Sequence, residues 1–158
     1  MGMSKTETTL TGFELFTGAM VGVRRHIDCI SNNRKTHVVN VLNAWHRNIE
    51  GALAELAYAK MAGRYYNFSV NTFTSAPDVG NVDIRYSAND TAHLIVYDID
   101  NDDSPYALII GEAPTYRFAG WILGRDAKQP DYWRGDVKTP SYWIPQTGLI
   151  WDLPVWAT

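Results

Sequence analysis

Four ionisable residues carry the chemistry open to this sequence: Glu55, Asp78, Asp83 and Arg85. Glu55 lies in Gly51-Ala52-Leu53-Ala54-Glu55-Leu56-Ala57-Tyr58-Ala59, among small side chains where a carboxylate is costly unless a cation or hydrogen-bond donors meet it. Asp78 follows Pro77, and five residues later comes Asp83-Ile84-Arg85, a triplet whose outer members share one face of a strand. Carboxylates converging from a helix, a turn and a strand could hold Mg²⁺ or Mn²⁺, because hard cations take oxygen ligands and complete the shell with water. A cation so held activates water and neutralises charge on a phosphodiester under attack. Arg85 would polarise the scissile phosphate but could not act as a base, since guanidinium stays protonated. Simpler roles stand beside these. Asp78 could stabilise its own turn, and Asp83 with Arg85 could form a same-face ion pair worth under about 1 kcal/mol.

The elements that must position these groups follow from periodicity. Residues 9–30 read as a first helix, with Leu10, Phe13, Phe16, Met20 and Val23 as its core-facing stripe and Thr9 or Thr11 as its cap. Arg24, Arg25 and His26 fall near its end, where positive charge suits the helix dipole, and Arg24 and Arg25 read as a solvated helix end ahead of a phosphate contact. A second helix spans 39–62, with Leu42, Trp45, Ile49, Ala52, Leu53 and Leu56 on one stripe. Small residues on its other side predict packing on both faces, with Gly51 at a close approach, Glu50 exposed and Gly63 as the stop. Lys60 is a weak substitute base, about 140° round the helix from Glu55.

Beyond the helix the period falls to two. Strands are predicted at 65–70, 82–86, 93–97, 106–110 and 116–123, separated by turn chemistry that includes the acidic hairpin turn 98–105. That turn is not an EF-hand: Asp103 and Ile109 stand where Gly and Glu are needed. Residues 125–145 combine Pro130, Pro140 and Pro145 with Tyr132, Trp133, Tyr142 and Trp143. Such a stretch wraps a sheet, or stacks unpaired bases with help from Arg134 and Lys138. A short edge strand is expected at 148–155.

The whole chain of 158 residues suits one domain over 1–158, with 1–8 a flexible N-terminus and 125–158 a Pro- and Trp-rich wrap. A net charge of −3 argues against a general basic coat for nucleic acid and leaves room for a local patch. One cysteine, Cys29, excludes an internal disulfide and, with no membrane-spanning run and no secretory pattern, points to the cytoplasm. The four histidines lack zinc-ligand spacing.

Pro77-Asp78, four intervening residues, then Asp83-Ile84-Arg85 resembles the motif of the PD-(D/E)XK, or restriction-endonuclease-like, superfamily, with Glu55 matching its first-helix acid. The chain also resembles a group of small tailed-phage proteins through Ile49-Glu50-Gly51-Ala52, Glu55-Leu56-Ala57, Asp78-Val79-Gly80, Gly120-Trp121-Ile122 and Ile144-Pro145-Gln146. The predicted elements give an α/β (α+β) fold, with two N-terminal helices on a mixed, largely antiparallel sheet, and the resemblance implies that it is restriction-endonuclease-like. It implies Mg²⁺-dependent (or Mn²⁺-dependent) hydrolysis of DNA in a host cytoplasm, with Asp78, Asp83 and Glu55 on the metal. Arg85 stands where the motif has Lys, so catalysis is altered or lost in the alternative reading. That reading is a phage structural or interaction protein on the same fold, partnered by copies of itself or by other phage proteins.

Overall fold

The computed structural model describes residues 6–33, 41–70 and 76–154. The first helix, α1 (Gly12–Ser31), begins in a capping box: Thr11 Oγ1 accepts the Glu14 amide at 3.2 Å while Glu14 Oε2 accepts the Thr11 amide at 2.7 Å. The second, α2 (Val41–Ala62), stops at Gly63 (φ 64), with Arg64 N–H reaching Ala59 O at 2.8 Å in a Schellman closure. The predicted start of this helix at 39 and the side chain of Leu42 lie outside the described residues.

α1 docks on α2 through its small residues and not through the predicted stripe. A Cβ on Gly22 would run into the α2 backbone at Asn48 and Ile49, and one on Gly18 would sit 2.7 Å from Leu53. That approach brings Gly18, Val21, Gly22 and His26 inside and turns Phe13, Phe16 and Met20 out to solvent. Gly51, expected at a close approach, has open space where its side chain would be. His26 is buried and packs edge-on against Trp45, with ring centroids 4.3 Å apart.

Two sheets follow. The larger has the order β1-β5-β4-β2, from β1 (Glu7–Thr9), β2 (Asp83–Ser87), β4 (Pro105–Glu112) and β5 (Thr115–Leu123). Residues 7 and 8, read from sequence as part of a flexible terminus, pair antiparallel with β5. β4 and β5 form an antiparallel hairpin with a bulge between Leu108 and Ile109, whereas β2 runs parallel to β4, pairing Asp83 with Tyr106 and Arg85 with Leu108. The smaller sheet is antiparallel, in the order β3-β7-β6, from β3 (Leu94–Val96), β6 (Trp133–Arg134) and β7 (Ser141–Ile144). The fold is mixed α+β.

β4 explains the layering. Its unbroken apolar run is buried on both faces, as a central strand requires. Ala107 and Ile109 meet Leu53, Ala54, Ala57 and Tyr58 of α2, while Leu108 and Ile110 meet Leu94, Val96 and Ile144 of the small sheet. The order is therefore α1, α2, large sheet, small sheet. Because β3 and β4 belong to different sheets, the acidic segment between them is a crossing turn and not a hairpin. The wrapping segment supplies two of the three small-sheet strands, preceded by the short α3 (Gly124–Ala127). Residues 64–69 are irregular, with Phe68 at φ 55, so the strand predicted at 65–70 does not form. The strand expected at 148–155 is a single bridge from Ile150 to Trp121, and residue 155 lies outside the described residues.

Candidate functional site

Glu55 sits in the niche its neighbours imply, buried on α2 between small side chains. Donors meet it there. Arg25 of α1 donates to both oxygens, Nη1 to Oε1 at 2.8 Å and Nη2 to Oε2 at 2.7 Å, and Tyr66 Oη donates to Oε2 at 2.8 Å. Arg25 also donates to Ser69 O, from Nε at 3.1 Å and Nη2 at 2.9 Å, so one guanidinium joins α1, α2 and the segment after α2. Burial opposes its charge, yet the Glu55 contact prevails and raises its pKa above the ordinary arginine value. Arg25 is thus no solvated helix end; Arg24 beside it is exposed.

Glu50, expected on the surface, is buried as well. It accepts Tyr116 Oη from β5 at 2.6 Å, because α2 is enclosed by α1 on one side and the sheet on the other. Lys60 points away from Glu55, donating to Glu14 Oε2 at 2.9 Å and Thr9 O at 3.0 Å.

Asp78 enters from a tight turn closed by Val79 and Val82, which exchange backbone hydrogen bonds across Gly80 (φ 59). Its Oδ2 accepts the Ile84 amide of β2 at 2.7 Å, so it stabilises the turn and also fixes the start of the strand. Burial, chiefly, and then Glu55 push its pKa from 3.8 up to about 7; Asp83 adds to the rise, while the Ile84 amide and Arg25 oppose it. The three acids named from the sequence therefore share one electrostatic neighbourhood, and Asp78 is the one that bears the strain.

Asp83 and Arg85 lie two apart on β2, but they are not the ion pair expected of them. Arg85 Nη2 pairs with Asp100 Oδ2 at 2.6 Å, and its guanidinium lies over the rings of Tyr106 (5.1 Å) and Tyr97 (5.7 Å). Its Nε is buried without a hydrogen-bond partner among the described residues. The Asp83 side chain has no hydrogen bond or ion pair among the described residues. Burial raises its pKa, with Arg85 opposing and Asp100 adding. Asp78, Asp83, Arg85, Asp100, Ser104 and Tyr106 border one cleft of about 540 Å³. On its other side Arg85 borders a second cleft of about 660 Å³ with Arg47, Ser87, His93, Tyr97 and Trp143.

The donor set suits a cation held by few protein ligands. Among the described residues no three His, Cys, Asp or Glu side chains are grouped to hold a metal ion. Mg²⁺, however, characteristically uses one or two carboxylates and takes its other oxygens from water and substrate phosphate. Asp78, whose side chain accepts one hydrogen bond, and Asp83 border the same cleft, and burial is the chief cause of the raised pKa of each. Both oxygens of Glu55 are occupied by Arg25, so direct ligation by Glu55 would require an exchange of partner.

Sequence reasoning missed Arg25, Tyr66, Asp100 and Tyr106. Arg25 left a signal: it falls on the same helical face as Gly18 and Gly22, which is the packed face. Asp100 left none, since its role arises only where the Tyr97 amide (2.8 Å) and Arg85 converge on it. In the aromatic stretch Tyr132 and Tyr142 pack on the small-sheet core, Trp133 meets Tyr142 at a tilt with centroids 4.9 Å apart, and Arg134 lies 5.2 Å from the Trp143 ring.

Comparison with known proteins adds no relative: no family model, no curated protein and no solved structure matches the chain. Among the described residues no helix is long and apolar enough to cross a membrane.

Proposed function

We propose that this chain is a divalent-metal-dependent phosphodiesterase acting on DNA, built on a restriction-endonuclease-like fold. The observation that carries the reading is the pair Asp78 and Asp83, two carboxylates bordering one cleft beside Arg85, each with its pKa raised chiefly by burial. The helix bearing Glu55 packs on the sheet whose edge strand bears Asp83 and Arg85, which suits the motif resemblance.

Asp78 and Asp83 would hold Mg²⁺ or Mn²⁺, and Glu55 would act from behind them by keeping Arg25 in place. The bound cation would supply Lewis-acid polarisation of the phosphoryl group and a water of lowered pKa. The chain's own groups do the rest. Asp100 holds one Nη of Arg85 and so leaves Asp83 unpaired. The remaining Nη donors of Arg85 would meet phosphate oxygens and neutralise charge that grows during attack, without exchanging a proton. Arg47, His93 and Trp143, across Arg85, offer cationic and aromatic contacts to flanking nucleotides.

One observation favours the catalytically inactive alternative. Arg85 is already neutralised by Asp100 and Glu55 by Arg25, so the fold could persist as a phage structural or interaction protein without chemistry. Incubation with labelled DNA and Mg²⁺ or Mn²⁺ decides between the two. The active reading predicts cleavage that is abolished by chelation and by Asp83→Asn. Equal cleavage by both proteins, or none by either, refutes it.

A further inference from the structure

The exposed face of α1 is not a random scatter of apolar residues. Phe13, Phe16, Met20, Val23, Ile27 and Ile30 recur at intervals of three, four, three, four and three, which is the seam of a helix that meets another helix. Phe13 is 77% exposed, Phe16 66% and Ile30 59%, because α2 is packed on the opposite, glycine-bearing face. Nothing polar along the seam demands water: the Thr17 hydroxyl is spent within the helix on Phe13 O at 3.0 Å. A membrane-surface helix would carry lysines and arginines along its polar flank. Here α1 brings only Arg24 and Arg25, and Arg25 is turned inward to Glu55.

We infer that this seam is a homodimer interface, in which α1 packs antiparallel on α1 of a second copy. The sequence is self-complementary in that sense. Two antiparallel copies set Phe13 against Ile30, Phe16 against Ile27 and Met20 against Val23, each layer occurring twice about a two-fold axis. Bulky and branched side chains then alternate, and the interhelical distance stays even. A parallel pair would stack aromatics on aromatics at one end and Ile on Ile at the other. The area is sufficient. The exposed portions of these side chains amount to about 600 Å² per copy, or about 1,200 Å² for the pair, which reaches the range of stable interfaces. A patch of that size is at the upper end of what monomers expose.

Light scattering on the full chain tests this independently of the cleft. The expected mass is about twice 17.8 kDa, falling to the single-chain value in Phe16→Glu/Ile27→Glu with an unchanged far-UV circular dichroism spectrum. A wild-type mass of one chain, or an undiminished mass in the variant, overturns the proposal. Orientation is read in a Cys29→Ser background. Phe13→Cys/Ile30→Cys should cross-link by disulfide while neither single cysteine does, because each lies about 25 Å along the axis from its own copy; cross-linking by the single variants overturns the antiparallel pairing.

Discussion

Replacing Asp78 with Asn should make the protein more stable, by an amount that grows as the pH rises from about 4 to about 7. Folding raises the Asp78 pKa from 3.8 to about 7, so between those values the folded chain holds a proton that the unfolded chain has lost. Stability therefore falls as pH rises through that window, and the full cost is present above it. At about 1.4 kcal/mol for each tenfold change in proton affinity, the cost reaches about 4 kcal/mol at pH 8 and about half a kcal/mol at pH 4. Asparagine keeps an oxygen for the Ile84 amide and removes the charge. Relaxation around the site reduces the gain, so about 2–4 kcal/mol is expected at pH 8, or roughly 5–15 °C in Tm for a chain of this size. Thermal melts at pH 4 and pH 8 measure it directly. Mg²⁺ at about a hundred times its Kd should add about 2.7 kcal/mol to the wild type at pH 8 and nothing to Asp78→Asn. A variant that melts lower than wild type at pH 8, or gains equally at both pH values, refutes the reasoning.

Arg25→Ala should cost about 3–5 kcal/mol in denaturant unfolding, because it strands a buried Glu55 carboxylate. Arg24→Ala, one residue away but exposed, should change stability by under about 0.5 kcal/mol. Tyr116→Phe removes the 2.6 Å donor to buried Glu50 and should cost about 1–3 kcal/mol, measured in the same way.

The parts legible in the sequence are those where local pattern and tertiary demand coincide. The apolar run of β4 fixes a strand, the triplet Asp83-Ile84-Arg85 fixes which side chains share a face, and Gly63 ends α2 where a left-handed residue is needed. The orientation of α1 was illegible for a physical reason. Periodicity shows that a helix has an apolar face, but not whether that face meets its own domain. Here Gly22 admits the α2 backbone and Gly18 the Leu53 side chain more closely than Phe13 or Phe16 could, and the small-residue face wins. Glu50 was misplaced because the helical wheel separates faces without revealing that both are covered, and its partner Tyr116 stands 66 residues away. Asp100 comes from a turn whose composition reads as solvated, and only the crossing between sheets turns it inward to Arg85.

The account rests on Asp78 and Asp83 acting together on one cation. Titration with Mn²⁺ at pH 8, followed by calorimetry or by the electron paramagnetic resonance of the free ion, tests that most directly. One Mn²⁺ per chain is predicted for the wild type, displaced by Mg²⁺ and lost in both Asp78→Asn and Asp83→Asn. Undiminished binding in either variant, or no binding by the wild type at millimolar Mn²⁺, would contradict it.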